Sequence, residues 1–229
     1  MKEFIKRIPL VGTLSRKLYG KLCRPKKAFP GSGEYWQERY RAGGNSGSGS
    51  YNRLAEFKAE IINRFVKENA VQTIIEYGCG DGNQLNLAEY PSYVGFDVSP
   101  KAIELCQDLF RHDSTKTFKL VQEYAGERSQ LTLSLDVIYH LVEDAVFRAY
   151  MHRLFDSAGR FVIIYSSDFD EEPQHHEKRR RFTQWVSSHQ PNWQLVQVIP
   201  NRFPYSDAHK TDSSHSDFYI YARTVSDNA

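Results

Sequence analysis

The 229-residue chain is short of the features that settle a fold class at a glance. Its three cysteines, Cys23, Cys79 and Cys106, have no metal-ligand spacing and no even pairing, which argues against a disulfide scaffold and fits reduced thiols in a cytoplasmic protein. No apolar stretch approaches the 18 residues of a membrane-spanning helix, and the first residues lack the continuous apolar core and cleavage site of a secretory signal. No internal repeat is visible. The net charge is only +2, and even that small excess is unevenly placed.

Residues 1–27 hold nine Lys or Arg against the single acid Glu3, leaving 21 basic and 27 acidic residues, a net charge of −6, for the rest. A body of that sign makes a poor nucleic-acid surface, since phosphate contacts need clustered basic side chains. The basic charge belongs to an amphipathic arm, residues 1–30, in which Phe4, Ile5, Ile8, Val11, Leu14 and Leu18 sit among the lysines and arginines. Such an arm suits either peripheral contact with an anionic membrane surface or packing on a partner. Residues 31–50 combine Tyr35, Trp36, Arg39 and Tyr40 with the run GGNSGSGS. They read as loop-like, either a plain linker or a lid hinged on glycine.

What is present in quantity is a globular core composition, 40% hydrophobic with 14 Phe and 14 Tyr, and from Tyr51 a regular alternation of helix and strand patterns. Leu54, Phe57, Ile61, Ile62 and Phe65 share a helical face. Strands are expected at 72–77, from Tyr93, and at 118–122, 133–139 and 160–165, with the last two near 193–199 and 218–222. Helices are expected over 82–89, from a Ser99 cap with Pro100 at the first position to about Phe110, and over 143–155 and 177–189. Strands alternating with helices imply an α/β fold with a doubly wound, mostly parallel sheet.

The densest signal is TIIEYGCGDGNQLNLAEYPSYVGFD, Thr73 to Asp97. A buried strand ends in Glu76 and breaks into Gly78, Gly80 and Gly82, which let the backbone turn sharply and approach a ligand. A second apolar run ends at Asp97, placed at the carboxyl end of a strand, where an acid suits a ribose diol. A dinucleotide fingerprint wants a glycine where this chain has Asn83, and Asp81 would repel a pyrophosphate. A cationic nucleoside cofactor without phosphate fits better, and a nicotinamide-dependent oxidoreductase stays as the rival.

The segment EYGCGDGN resembles the first motif of class I S-adenosylmethionine-dependent methyltransferases, D/E-x-G-x-G-x-G. GFDVSPKAI and SLDVIYH, ending at His140, resemble two further motifs in the family's order, over a span from about Tyr35 to Arg223. The resemblance implies a Rossmann-like sheet of seven strands with the last antiparallel, a methyltransferase domain over 51–225, and S-adenosylmethionine as cofactor. It implies cofactor contacts from Glu76, from Gly78, Cys79, Gly80, Asp81 and Gly82 of the loop, from Asp97 and Val98, and from Asp136. His140, with an ordinary pKa near 6.5, is the candidate catalytic base beside the acceptor; its alternative is a structural histidine. GGNSGSGS and SLDVIYHL look like those of bacterial methyltransferases of cell-surface glycan pathways, so a small-molecule or glycan acceptor is expected and nucleic acid is not. A non-catalytic cofactor-binding module is the other alternative.

The acids and histidines after the fifth strand, Asp168, Asp170, Glu171, Glu172, His175 and His176, read as a solvated loop, with a divalent-cation site like that of metal-dependent catechol-type relatives as the alternative; no metal is expected, and His175 or His176 is placed to line the acceptor pocket. Arg179 to Arg181 form a basic turn able either to meet an anionic substrate group or to face solvent.

Overall fold

A computed structural model describes residues 29–224, so the basic arm of residues 1–27 and Cys23 lie outside the described residues. The described residues from Gly31 belong to one compact unit. Among the described residues the α-helices are α1 (Ser32–Arg41), α2 (Asn52–Glu68), α3 (Pro100–Leu109), α4 (Asp144–Asp156) and α5 (Phe182–His189). Its strands are β1 (Ile74–Tyr77), β2 (Tyr93–Asp97), β3 (Lys116–Leu120), β4 (Ser129–Leu135), β5 (Ala158–Ser166), β6 (Trp193–Ile199) and β7 (Asp217–Arg223).

The seven strands form one sheet in the order β3-β2-β1-β4-β5-β7-β6. Neighbours from β3 to β5 pair in parallel, and β7 runs antiparallel to both β5 and β6. The expected doubly wound, mostly parallel sheet with a reversed last strand is the observed one. Both faces are covered, which explains why the central strands read as continuous apolar runs. Ile74, Leu133 and Ile163 pack on one face with Phe57 and Ile61 of α2 and Cys106 of α3. Their chain neighbours Ile75, Val162 and Ile164 point the opposite way, onto Met151 and Leu154 of α4 and Val186 of α5. Among the described residues no helix is long and apolar enough to cross a membrane.

Strand order reverses at β1, whose neighbours are β2 on one side and β4 on the other. Ligands in open α/β sheets bind in the crevice beyond the carboxyl ends of the strands at such a point.

Four expectations are corrected. Residues 31–50 are not all loop, because Ser32–Arg41 is helical. The helix expected over 82–89 is a single 3-10 turn, Gln84–Leu87. The fourth strand ends at Leu135 instead of Tyr139. Asp136 takes a positive φ of 58°, which breaks the strand, and Ile138–His140 forms a 3-10 turn. The last helix starts at Phe182, not 177, because Gln174 and Glu177 pair as a bridge and Lys178 bonds back to the carbonyl of Tyr139.

Candidate active site

The chain leaves β1 through a loop that brings backbone, not side chains, to the crevice. Gly78 and Gly80 have φ of 87° and 60°. A Cβ on Gly78 would reach within 2.5 Å of Val137, and one on Gly80 would collide with the Ser46 and Tyr40 hydroxyls. Glycine is required at both. Gly80 N–H donates to Asp97 Oδ2 at 3.0 Å, and Ser99 N–H to Asp97 Oδ1 at 2.9 Å, so the β2 carboxylate is fastened to the β1 loop. Ser99 also caps α3, accepting from Ala102 N–H at 3.3 Å.

Two carboxyl groups are buried here. Burial pushes Glu76 up to about 7, against the Tyr93 hydroxyl that donates to it at 2.7 Å. Burial likewise raises Asp97 to about 6, opposed by its backbone donors. A third, Asp136, lies beyond β4. It accepts from Lys58 Nζ at 2.8 Å, from the Tyr139 hydroxyl at 3.1 Å and from Ser216 Oγ at 3.1 Å. Lys58 is fully buried, which this pairing makes tolerable.

A roof closes over these groups. Ser32, at the start of α1, donates through N–H and Oγ to the Glu143 carboxylate at 2.9 and 2.6 Å and accepts from Val142 N–H at 2.9 Å. Further along, the Tyr40 and Ser46 hydroxyls are 2.8 Å apart. Ser46 and Tyr51 both donate to Asp81, and Asn83 Nδ2 donates to the carbonyl of Ser50 at 2.6 Å. Between roof and sheet edge lies a cavity of about 400 Å³.

Of the expected cofactor residues, Glu76, Gly78, Cys79, Gly80, Asp97, Val98 and Asp136 all line this cavity, and so does His140. Asp81 and Gly82 do not. Asp81 turns away to hold Ser46, Tyr51 and Asn83 N–H. Gly82 packs on α3, where a Cβ would come within 3.0 Å of Phe110 and 3.1 Å of Cys106. Cys79 is buried, and the adjacent Cys106 thiol with burial pushes its own thiol well up, which suits a small filler more than a nucleophile. His140 departs from its expected pKa: burial pushes it down to about 4, so the ring is neutral at pH 7 and a weak base. Its ring meets Trp36 edge-on at 4.9 Å and stacks on His176 at 5.2 Å.

Three of the acids after β5, Asp168, Asp170 and Glu171, are engaged elsewhere. Asp168 holds Thr183 N–H and Oγ1 at 3.0 and 2.7 Å, Asp170 accepts from Arg181 N–H, and Glu171 pairs with Arg179. Arg180 pairs with Asp144 and donates to the carbonyls of Leu141 and Val142. The basic turn therefore braces the loop after β4.

Sequence reasoning passed over Lys58, Ser46, Tyr150 and Arg153, all on the cavity wall. For Lys58 a signal exists. It lies four residues after Leu54 and three before Ile61, on the apolar face of its helix, where a lysine needs a buried partner.

The methyltransferase-domain family model matches residues 51–208, and the chain belongs to that family. A search of curated proteins finds no significant match. Several solved structures share the fold. The N-methyltransferase NodS from Bradyrhizobium japonicum, in complex with S-adenosylhomocysteine, is 15% identical with TM-score 0.63, covering 84% of this chain and 98% of its own. Magnesium protoporphyrin IX methyltransferase from Synechocystis, with bound S-adenosylmethionine, is 14% identical with TM-score 0.60, covering 87% and 100%. The small RNA methyltransferase HEN1 is 18% identical with TM-score 0.57, covering 77% of this chain and 26% of its own.

Proposed function

We propose that the chain is an S-adenosylmethionine-dependent methyltransferase acting on a small-molecule or glycan-type acceptor. The observation that carries the cofactor reading is the union of Gly78, Gly80, Glu76 and Asp97 on one roofed cavity at the point where strand order reverses. Buried carboxylates suit a cationic ligand that carries a ribose. A dinucleotide is disfavoured because the loop leads into a four-residue 3-10 turn. That turn offers no α-helical N-terminus to a pyrophosphate.

The cofactor, when bound, supplies an activated methyl group on a sulfonium. Asp97 accepts from the ribose hydroxyls through the lone pairs that Gly80 and Ser99 leave free. Glu76 offers a carboxylate to the cationic amino-acid end. The Gly78–Gly80 backbone permits close approach, and α1 with Ser46 keeps water out of the reacting line. His140, Trp36 and Leu141 form the acceptor side of the wall. A neutral His140 presents a hydrogen-bonding and stacking surface to the acceptor.

Isothermal titration with S-adenosylhomocysteine and with NAD tests the cofactor. Binding of the first alone is expected, and binding of NAD alone would end the reading. Transfer of labelled methyl into a cell extract, separated into lipid, glycan, RNA and small-molecule fractions, tests the acceptor, and label confined to RNA would overturn that part.

A further inference from the structure

At the rim of the cavity a second set of donor atoms converges, independent of the carboxylates below. His140, in the turn after β4, and His176 and Glu177, in the loop after β5, each offer one ligand atom, and all three atoms lie within 4.8 Å of one another. His140 is also part of the cavity wall.

The surroundings of the three residues orient them as ligands. His140 Nδ1 lies 3.3 Å from the carbonyl oxygen of His176. With the proton on Nδ1 that contact is a hydrogen bond, and the Nε2 lone pair is left for a cation. His176 Nε2 stands 3.8 Å from Glu177 Oε1. The second oxygen of Glu177 accepts from Arg179 at 2.9 Å. Metal-binding histidines and carboxylates are held in this way by outer hydrogen bonds that fix tautomer and orientation. The neighbouring acids that could compete are engaged, Asp168 with Thr183, Asp170 with Arg181 N–H and Glu171 with Arg179.

We infer that His140, His176 and Glu177 bind a divalent transition-metal ion of the zinc class, with a coordination position open to an oxygen of the methyl acceptor. Two imidazole nitrogens and one carboxylate oxygen are the donors of catalytic zinc sites, which keep a fourth position free. The same donors disfavour magnesium and calcium, which prefer oxygen alone. At metal–ligand bonds of about 2.0–2.2 Å the three atoms close in from their present spacing. The two imidazoles, now 9° from parallel at 5.2 Å, tilt toward each other as they do so. Because His140 belongs to the wall and the rim at once, an ion held there faces the acceptor side. The ion's use in recognising an oxygen-bearing acceptor rests on the methyltransferase reading; its binding does not.

The full chain, stripped with a chelator, is titrated with cobalt(II) and followed by visible absorption, then titrated with zinc by calorimetry. One equivalent is expected, with ligand-field bands of a low-coordinate site. His176→Ala and Glu177→Gln should each weaken binding by more than the roughly 10–100-fold that loss of an outer-shell partner costs, with unchanged circular dichroism. Absence of binding at millimolar ion, or variants that bind as the parent does, overturns the inference. S-adenosylhomocysteine affinity, measured on the same samples, separates the two readings. Absence of metal binding by the parent protein with cofactor affinity intact defeats the ion site alone. Metal binding without cofactor affinity defeats the methyltransferase reading and leaves the ion site standing.

Discussion

Ser46 and Asp81 hold each other by two reciprocal hydrogen bonds. Ser46 N–H donates to Asp81 Oδ2 at 2.9 Å, and Asp81 N–H donates to Ser46 Oγ at 3.0 Å. A residue of the glycine loop and a residue of the Gly/Ser run thus clamp the roof to the floor. Asp81→Ala removes the carboxylate half of this clamp together with the Tyr51 and Asn83 contacts, leaving only the backbone N–H bond to Ser46. It should cost about 1–3 kcal/mol and lower Tm by roughly 2–12 °C for a chain of this size. Thermal unfolding checks the loss. S-adenosylhomocysteine affinity should fall with it, since the roof closes the cavity; full affinity in Asp81→Ala would show that the clamp does not serve binding.

Asp97→Ala should reduce S-adenosylhomocysteine affinity at least tenfold, equivalent to about 1.4 kcal/mol or more, with the sheet intact by circular dichroism. The effect runs through the ribose contact and through the lost acceptor for Gly80 and Ser99 N–H. Calorimetric titration is the check, and parent-like affinity would remove Asp97 from the site.

Lys58→Met leaves the Asp136 carboxylate, 12% exposed, without its cation. Breaking a buried pair on one side costs about 3–5 kcal/mol. The double change Lys58→Met with Asp136→Asn should recover much of that loss, because neither charge then remains and Asn tolerates the positive φ at this position. Denaturant midpoints of the two variants decide it.

The raised carboxyls predict an acid-side optimum for the ligand-free protein. Glu76 at about 7 and Asp97 at about 6 hold protons in the folded state that the unfolded chain releases near the ordinary values of 4.5 and 3.8. Their contribution to stability is therefore complete below about pH 4 and is lost as pH rises toward 7. Parent protein should lose more stability between pH 5 and 7.5 than a Glu76→Gln, Asp97→Asn double variant, on the order of 2–4 kcal/mol. A cationic cofactor favours the ionised forms, so affinity for S-adenosylmethionine should rise over the same interval. Denaturant titrations and calorimetry at matched pH values test both signs.

Much of the sheet and the cofactor loop was legible in the sequence because their signals are local. Glu76 and Asp97 end apolar runs, Gly78 and Gly80 mark a turn, and Ser99-Pro100 opens a helix. Other parts depend on contacts far along the chain. The Ser32–Arg41 helix was hidden between Pro30 and Gly43, and part of its support comes from Glu143, 111 residues away. The 82–89 segment has helical composition, yet Asn83 and Gln84 spend their side-chain amides on the Ser50 and Ala55 carbonyls, and only one 3-10 turn forms. His140 reads as a base of ordinary pKa until Trp36 and His176 are found packed around its ring. Burial of that kind is not written in the local pattern.

The stretch shared with the family starts at Tyr51, whereas Ser32, Trp36, Tyr40 and Ser46, which cover the cavity, all precede it. The cover is therefore drawn from outside the shared stretch and reaches it through Asp81, Asn83 and Glu143. A chain cut back to Tyr51 would keep everything the family has in common and still leave the crevice bare on that side.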